Sequence, residues 1–181
     1  MAESQKYDLV IIGSGPGGYV AAVHAAQLGM KVACVEKESR LGGVCLRVGC
    51  IPSKALLDSS EFYHMAREEF AAHGIKTGKV SLDLEAMMAR KDKVVETLTD
   101  GVRGLLKRNK VDVVQGTASL AGKNRVEVAE NGDGSKKREL EADAILLATG
   151  SRAMEVPGME FDGTSIVNSS QALAFDKVPK T

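Results

Sequence analysis

Short β-branched runs alternate with stretches of helical periodicity along this chain, and the alternation predicts an α/β fold. Residues 7 to 12, YDLVII, form one such run and end in Gly-Ser-Gly-Pro-Gly-Gly, after which alanines and leucines recur with helical character from Val20 to Leu28. Gly29 stops that helix, and Lys31 to Val35 forms a second apolar run before Glu36, Lys37 and Glu38. The first 36 residues thus read as strand, glycine turn, helix and strand, a βαβ unit whose strands lie side by side in a parallel sheet.

Helical composition returns from Ser53 to about Ala72. From Leu82 to Lys107, apolar residues at 84, 87, 88, 94, 95, 98, 102, 105 and 106 trace one helix face, most simply a core-packing stripe. His73-Gly74 to Val80 reads as a turn and connection. The segments at 111 to 115, 125 to 129 and 138 to 141 predict short antiparallel strands, with the turn-prone Asn131-Gly132-Asp133-Gly134 before the last. They form a β-meander, about 111–142, inserted into the α/β fold. Ala144 to Leu147 supplies another buried strand ending in Ala-Thr-Gly-Ser. Beyond it come a loop with Pro157 and Gly158, a short strand near Ile166 and a helical turn after Asn168. No internal repeat or low-complexity tract interrupts the pattern.

Composition narrows the function classes. At 181 residues, 44% of them apolar, the chain is long enough for one sizeable core. Twenty-four basic and 24 acidic residues cancel, so no global field draws the protein to nucleic acid or anionic lipid. Aromatics are 4% and Trp is absent, which removes the usual stacking platforms for single strands and favours small-molecule or protein partners. The apolar stretch Leu9 to Ile12 is too short to span a bilayer and runs into glycines, so neither a membrane anchor nor a secretory signal is visible. Three cysteines are too few for a secreted disulfide framework, which points to a reducing compartment and to chemical activity for any cystine.

Gly13, Gly15 and Gly18 make a G-x-G-x-x-G match, weak alone and strengthened by its place between a strand and a helix. Gly13 permits the tight turn, Gly15 lets backbone approach a pyrophosphate, Gly18 allows close helix–strand packing, and the helix N-terminus faces the anion. Glu36 ends the second strand, where a carboxylate accepts ribose hydroxyls and repels a 2′-phosphate. The bland alternative is a structural glycine turn with a surface glutamate. FAD and NAD both satisfy this fingerprint.

Cys45 and Cys50 stand five positions apart in Gly42-Gly43-Val44-Cys45-Leu46-Arg47-Val48-Gly49-Cys50-Ile51-Pro52-Ser53-Lys54. On a regular helix that offset turns the side chains about 140° apart and the Cα atoms more than ~7 Å apart, so a bridge demands distorted helix. Gly49 tolerates such distortion, and Pro52 is compatible with a helix beginning or kinking there. The closed loop is so short that its stabilisation falls at the low end of the ~0 to 5 kcal/mol range, and redox function explains the spacing better. Two inert thiols and a metal half-site are the alternatives, but no further Cys or His clusters nearby and C-x4-C is not a common zinc half-site. A dithiol beside a dinucleotide site needs a partner that takes both electron pairs and hydride, which favours a flavin. Cys34, inside an apolar strand, reads as a small core residue.

Across essentially its whole length the chain resembles the N-terminal part of the pyridine nucleotide-disulfide oxidoreductases, and Gly42 to Lys54 continuing into Ala55-Leu56-Leu57 is most similar to members that oxidise dihydrolipoamide. Members that reduce glutathione or mercuric ion more often carry Val where Ile51 stands. Val44 and Arg47 depart from the pattern, since many members have Thr and Asn there, and both bear on substrate and redox tuning more than on reaction class. The resemblance implies a Rossmann-like FAD-binding domain over 1–150 and, over 151–181, a connection toward an NAD-binding domain. It implies a redox disulfide in which Cys45 exchanges with the substrate dithiol and Cys50 forms the charge-transfer contact with the flavin, with Lys54 beside the flavin ring. Glu36, with Lys37 next to it, would bind the adenosine ribose. Gly13 to Gly18, including Pro16, would take the pyrophosphate, and Gly42, Gly43, Val44 and Cys45 the ribityl and ring region. The strand ending in Ala148, Thr149, Gly150 and Ser151 matches a second FAD segment, and Gly116 to Ala118 the backbone that approaches adenine.

The implied reaction passes electrons from dihydrolipoamide through the disulfide and FAD to NAD. Implied partners are the lipoyl domain of a 2-oxoacid dehydrogenase or glycine cleavage complex and a second subunit in a homodimer. Nucleic acid and membrane are not among them, and the implied location is bacterial cytoplasm or mitochondrial matrix. The family's base is a histidine from the other subunit's C-terminal domain, a motif that none of His24, His64 and His73 matches. A second glycine fingerprint, for NAD, is expected shortly beyond Pro179, so the chain reads as a fragment of a longer enzyme. A related glutathione or mercuric reductase is the nearest rival reading, followed by a flavin or thiol electron carrier and a flavin-free binding module.

Overall fold

The computed structural model describes residues 5–131 and 136–180. Among them the chain forms two compact units, one made of the residues up to Arg47 with Leu98–Ser151, the other of Val48–Thr97 with the residues from Arg152 on.

The first unit is built on a six-stranded sheet in the order β3 (Asp112–Gln115), β2 (Val32–Glu36), β1 (Gln5–Ile12), β6 (Lys137–Leu147), β5 (Arg125–Ala129), β4 (Thr117–Gly122). β1 (Gln5–Ile12), α1 (Pro16–Gln27) and β2 (Val32–Glu36) form the expected βαβ unit, with β1 and β2 parallel from Leu9↔Val32 to Ile12↔Val35. All five residues of β2 are buried, and Gly29, at φ 88°, provides the left-handed turn that ends α1.

β3 (Asp112–Gln115) corrects the expectation for residues 111 to 115: it pairs parallel with β2, from Ala33↔Asp112 to Glu36↔Gln115. It extends the parallel sheet and is not part of the meander. The meander is instead β4 (Thr117–Gly122), β5 (Arg125–Ala129) and the first half of β6 (Lys137–Leu147). β4 was not expected, because it is an edge strand with little apolar alternation; only Ala118 packs on the core. Residues 138 to 141 and 144 to 147 were expected as separate strands. They form one eleven-residue strand that pairs antiparallel with β5 at Lys137 to Glu141 and parallel with β1 at Leu140 to Leu147. Ala142 is buried and Asp143 points outward in the regular alternation, so no turn separates the halves. Gly132 to Gly134, in the expected turn, lie outside the described residues.

Tyr7, Val10, Ile12, Ala33, Val35, Val114, Val126, Val128, Leu140 and Ala142 form the core of this unit, drawn from parallel and antiparallel strands alike. Tyr7 is polar at its tip, and its hydroxyl donates to Asp112 at 3.0 Å, as a buried Tyr requires. Burial first, and that hydrogen bond second, push its hydroxyl up to about 12.

The second unit is helical. α3 (Cys50–His64) continues through a π turn, Met65–Glu69, and a 3-10 turn, Phe70–His73, to Gly74 at φ 76°. α4 (Leu84–Arg108) contributes its residues up to Thr97 here and the rest to the sheet unit. Its expected stripe is present, with Val95, Val102 and Leu106 buried, but Lys91 and Thr99 are buried beside them while Leu98 is 41% exposed. α5 (Ser169–Ala172) is the expected turn after Asn168, whose side chain accepts from the Ser170 and Gln171 N–H groups in a capping box. The strand expected near Ile166 is absent: the N–H groups of Thr164, Ser165 and Ile166 all donate to the Asp162 carboxylate, which holds a turn instead. Among the described residues, no helix is long and apolar enough to cross a membrane.

Candidate functional site

The parallel strands end together, and the expected dinucleotide residues of the sheet unit gather at those ends. Gly13, at φ 104°, leaves β1 with its N–H on the Val35 carbonyl of β2. A Cβ on Gly18 would lie 1.8 Å from the Gly13 carbonyl oxygen, and one on Gly13 would lie 2.3 Å from the Ala148 carbonyl oxygen at the end of β6. Glycine is therefore demanded at both positions by packing, so the first turn of α1 lies directly on the strand ends. Gly15 and Gly17 face the other way: a Cβ there would meet nothing nearer than 3.8 Å. Gly15 caps α1 without a side-chain hydrogen bond, Pro16 opens the helix, and the first turn holds no acid. An uncapped twelve-residue helix with bare backbone at its mouth suits a pyrophosphate.

Glu36 is only 6% exposed. Its Oε2 accepts both the Ser14 N–H (2.9 Å) and the Ser14 hydroxyl (2.6 Å), and its Oε1 accepts the Glu38 N–H (3.0 Å). Burial opposes ionisation, but the Ser14 hydroxyl, the Glu38 and Ser14 N–H groups and the nearby Arg47 charge outweigh it and hold the carboxyl below its ordinary value. A carboxylate has about four acceptor positions, so these contacts leave room for a sugar hydroxyl. Lys37 beside it is exposed. Sequence reasoning missed Ser14, the fully buried hub that also accepts the Gly42 N–H on its hydroxyl at 3.3 Å. Its signal was a hydroxyl residue between the first two glycines of the loop.

Gly42, at φ 98°, and Gly43, at φ 63°, turn the chain into α2 (Gly43–Val48). A Cβ on Gly43 would come within 2.6 Å of the Gly15 Cα, so the two glycine segments lie backbone to backbone. Val44 is half exposed and Cys45 is partly buried. In the helical unit, Cys50 is exposed and begins α3, Pro52 is buried in its first turn, and Lys54 is exposed one turn on. Gly49 caps α3 at φ −141° and ψ −112°, so the helix breaks between the cysteines at the glycine expected to allow it.

Beside Glu36, at the end of the neighbouring strand, Gly116 joins β3 to β4 at φ 148°, its N–H on the Glu36 carbonyl; a Cβ there would sit 2.4 Å from the Ala129 carbonyl oxygen. Gln115 donates to the Glu36 and Glu38 carbonyls, and Asn131 to that of Lys37. A cleft of about 340 Å³ opens here between Val114, Gln115, Val128, Asn131 and Arg138. Neither Gly116 nor Ala118 lines it. Thr149, Gly150 and Ser151 are exposed beyond the end of β6. Cys34 is fully buried, and burial, with the Glu36 charge second, pushes its thiol up to about 12, as an inert core residue requires. His24, His64 and His73 are all exposed. Among the described residues, no group of three or more His, Cys, Asp or Glu is placed to hold a metal ion.

The chain is 51% identical over 177 residues to dihydrolipoyl dehydrogenase 1, mitochondrial, of Arabidopsis thaliana, covering 98% of this chain and 34% of that protein. It is 51% identical over 174 residues to the mitochondrial dihydrolipoyl dehydrogenase of Canis lupus familiaris, covering 96% and 34%, and 49% identical over 177 residues to leghemoglobin reductase of Vigna unguiculata, covering 98% and 34%. It thus spans about a third of the length of these relatives. Residues 7–181 match the pyridine nucleotide-disulphide oxidoreductase family. Matched by that family over nearly its whole length, and about half identical to these relatives, the chain belongs to the pyridine nucleotide-disulphide oxidoreductases, with Cys45 and Cys50 in the thiol form in this structure.

Proposed function

We propose that this chain is the FAD-binding, disulfide-bearing portion of an enzyme that oxidises protein-bound dihydrolipoamide to lipoamide with NAD as acceptor. The observation that carries the reading is the junction of three elements at the ends of β1 and β2: the uncapped helix α1, the buried and hydrogen-bonded Glu36, and the Gly42–Gly43 turn that launches Cys45. Similarity to proteins named dihydrolipoyl dehydrogenase supports the substrate.

In this reading the α1 N-terminus takes the FAD pyrophosphate and Glu36 the adenosine ribose, with Lys37, Gly116 and Ala118 on the adenine side. Gly42 to Cys45, Lys54 and Thr149 to Ser151 serve the ribityl and ring end. A substrate thiolate attacks Cys45, breaking the Cys45–Cys50 bond and leaving Cys50 as a thiolate. The second substrate sulfur then attacks the mixed disulfide, so substrate leaves as a disulfide and the protein holds a dithiol. FAD held by these residues would supply the two-electron chemistry that links that dithiol to NAD. The base that makes the substrate thiolate is supplied from outside this chain, by the other subunit of a homodimer. Lipoyl domains of a 2-oxoacid dehydrogenase or glycine cleavage complex are the proposed partners, in the mitochondrial matrix or the bacterial cytoplasm.

An absorbance spectrum of the full-length protein, before and after one equivalent of dihydrolipoamide, tests this. Flavin absorbance that develops a long-wavelength charge-transfer band, and turnover with NAD, are expected. A protein with flavin that turns over glutathione or mercuric ion instead would reassign the substrate, and a colourless protein would remove the reading.

A further inference from the structure

α2 has only six residues, too few to be stable as a helix by itself, so its position is set by what holds it. Leu46 is buried and lies over Gly42, and Gly43 backs onto Gly15. At its last turn, where a cation suits the helix dipole, the Arg47 Nη1 pairs with the Glu38 carboxylate at 2.9 Å. Glu38 in turn gives its N–H to Glu36, Glu36 accepts Ser14, and the Ser14 hydroxyl accepts the N–H of Gly42 at the head of α2. The polar contacts therefore close a circuit: the buried acid is tied to both ends of the helix that carries Cys45. The Arg47 side chain is 21% exposed and that of Glu38 40%, so the pair is shielded but not sealed from solvent.

We propose that Arg47 is a positioning residue, which through Glu38 locks the Cys45 helix to the dinucleotide-side acid and so sets the presentation of the Cys45 sulfur to an incoming thiolate. This rests on the redox role of Cys45 proposed above.

The experiment uses the full-length, FAD-loaded protein. Arg47→Asn, Arg47→Lys, Glu38→Gln and the combined Glu38→Gln/Arg47→Asn are compared for FAD content and for the stopped-flow rate at which dihydrolipoamide reduces the disulfide. Arg47→Asn and Glu38→Gln should each slow reduction by roughly three- to fivefold, the scale of a partly exposed ion pair, with FAD content unchanged. The combined variant should be no slower than either, Arg47→Lys should recover most of the rate, and the difference from the parent should shrink in 1 M salt. Rates equal to the parent, additive losses, or a loss of FAD that accounts for the slower rate would overturn the assignment. A parent protein with no dithiol-reducible disulfide would overturn the redox reading itself and this inference with it.

Discussion

At the residue scale, burial separates Cys34 from Cys50 by chemistry. Cys34 has no access to solvent and its thiol is pushed up to about 12, whereas Cys50 is exposed at the head of α3. Only a thiolate reacts at an appreciable rate. After mild reduction at pH 8, mass spectrometry should find iodoacetamide on Cys50 within minutes and on Cys34 only after denaturation; early labelling of Cys34 would contradict its place in β2. Glu36 is legible in sequence as an acid ending a strand, but its hydrogen-bond set is not, because Ser14 reaches it across 22 positions of chain. Its carboxyl is held below the ordinary 4.5, so its contribution to stability is complete above that value and is lost as pH falls through the lowered one. Glu36→Gln places an amide among N–H and O–H donors and should cost about 1–3 kcal/mol at neutral pH. The deficit should fade in acid, as read by urea unfolding at a series of pH values.

At the element scale, the apolar pattern located α1, β1, β2 and α4: the two helices bury residues at helical spacing, while β2, buried throughout, reads as a short continuous apolar run. It missed β4 and misread β3, since strand partners are long-range choices that a local pattern does not contain. It also passed over Lys91, which a hydropathy stripe treats as solvent-facing. Lys91 is 8% exposed, and its ammonium donates to the Leu173 carbonyl at 3.0 Å just after α5. With α5 only four residues long, that contact and the Asn168 capping box hold the segment. Lys91→Met should therefore speed amide exchange across residues 169–174 by about five- to tenfold, the scale of one charged hydrogen bond, while the β1 and β2 amides stay protected. Equal exchange in both proteins would show that the bond holds nothing. Gly18→Ala tests the strand–helix junction: with 1.8 Å available to the new methyl, α1 must move off β1. The thermal midpoint should fall by several degrees, corresponding to about 1–3 kcal/mol or more.

At the scale of the whole molecule, charge and exposed apolar surface act together. The chain carries no net charge near pH 7, and Leu28, Leu147, Met154, Met159 and Val178 are each more than half exposed. Little electrostatic repulsion then opposes association through those side chains. Light scattering should show more self-association at pH 7 than at pH 9.

The sequence by itself determined the family, the glycine turn, the acid that ends β2 and the break at Gly49. Each is a local requirement written in neighbouring residues: a left-handed φ, a missing Cβ, a carboxylate at a strand end, a glycine where helix must stop. Only the tertiary structure decided that β3 runs parallel, that β6 serves two partners in one strand, and that Ser14, Glu38 and Arg47 join the acid to the Cys45 helix. Those outcomes depend on which distant groups meet. Many pairings satisfy the same local pattern, and burial and hydrogen-bond satisfaction choose among them only once the chain has folded.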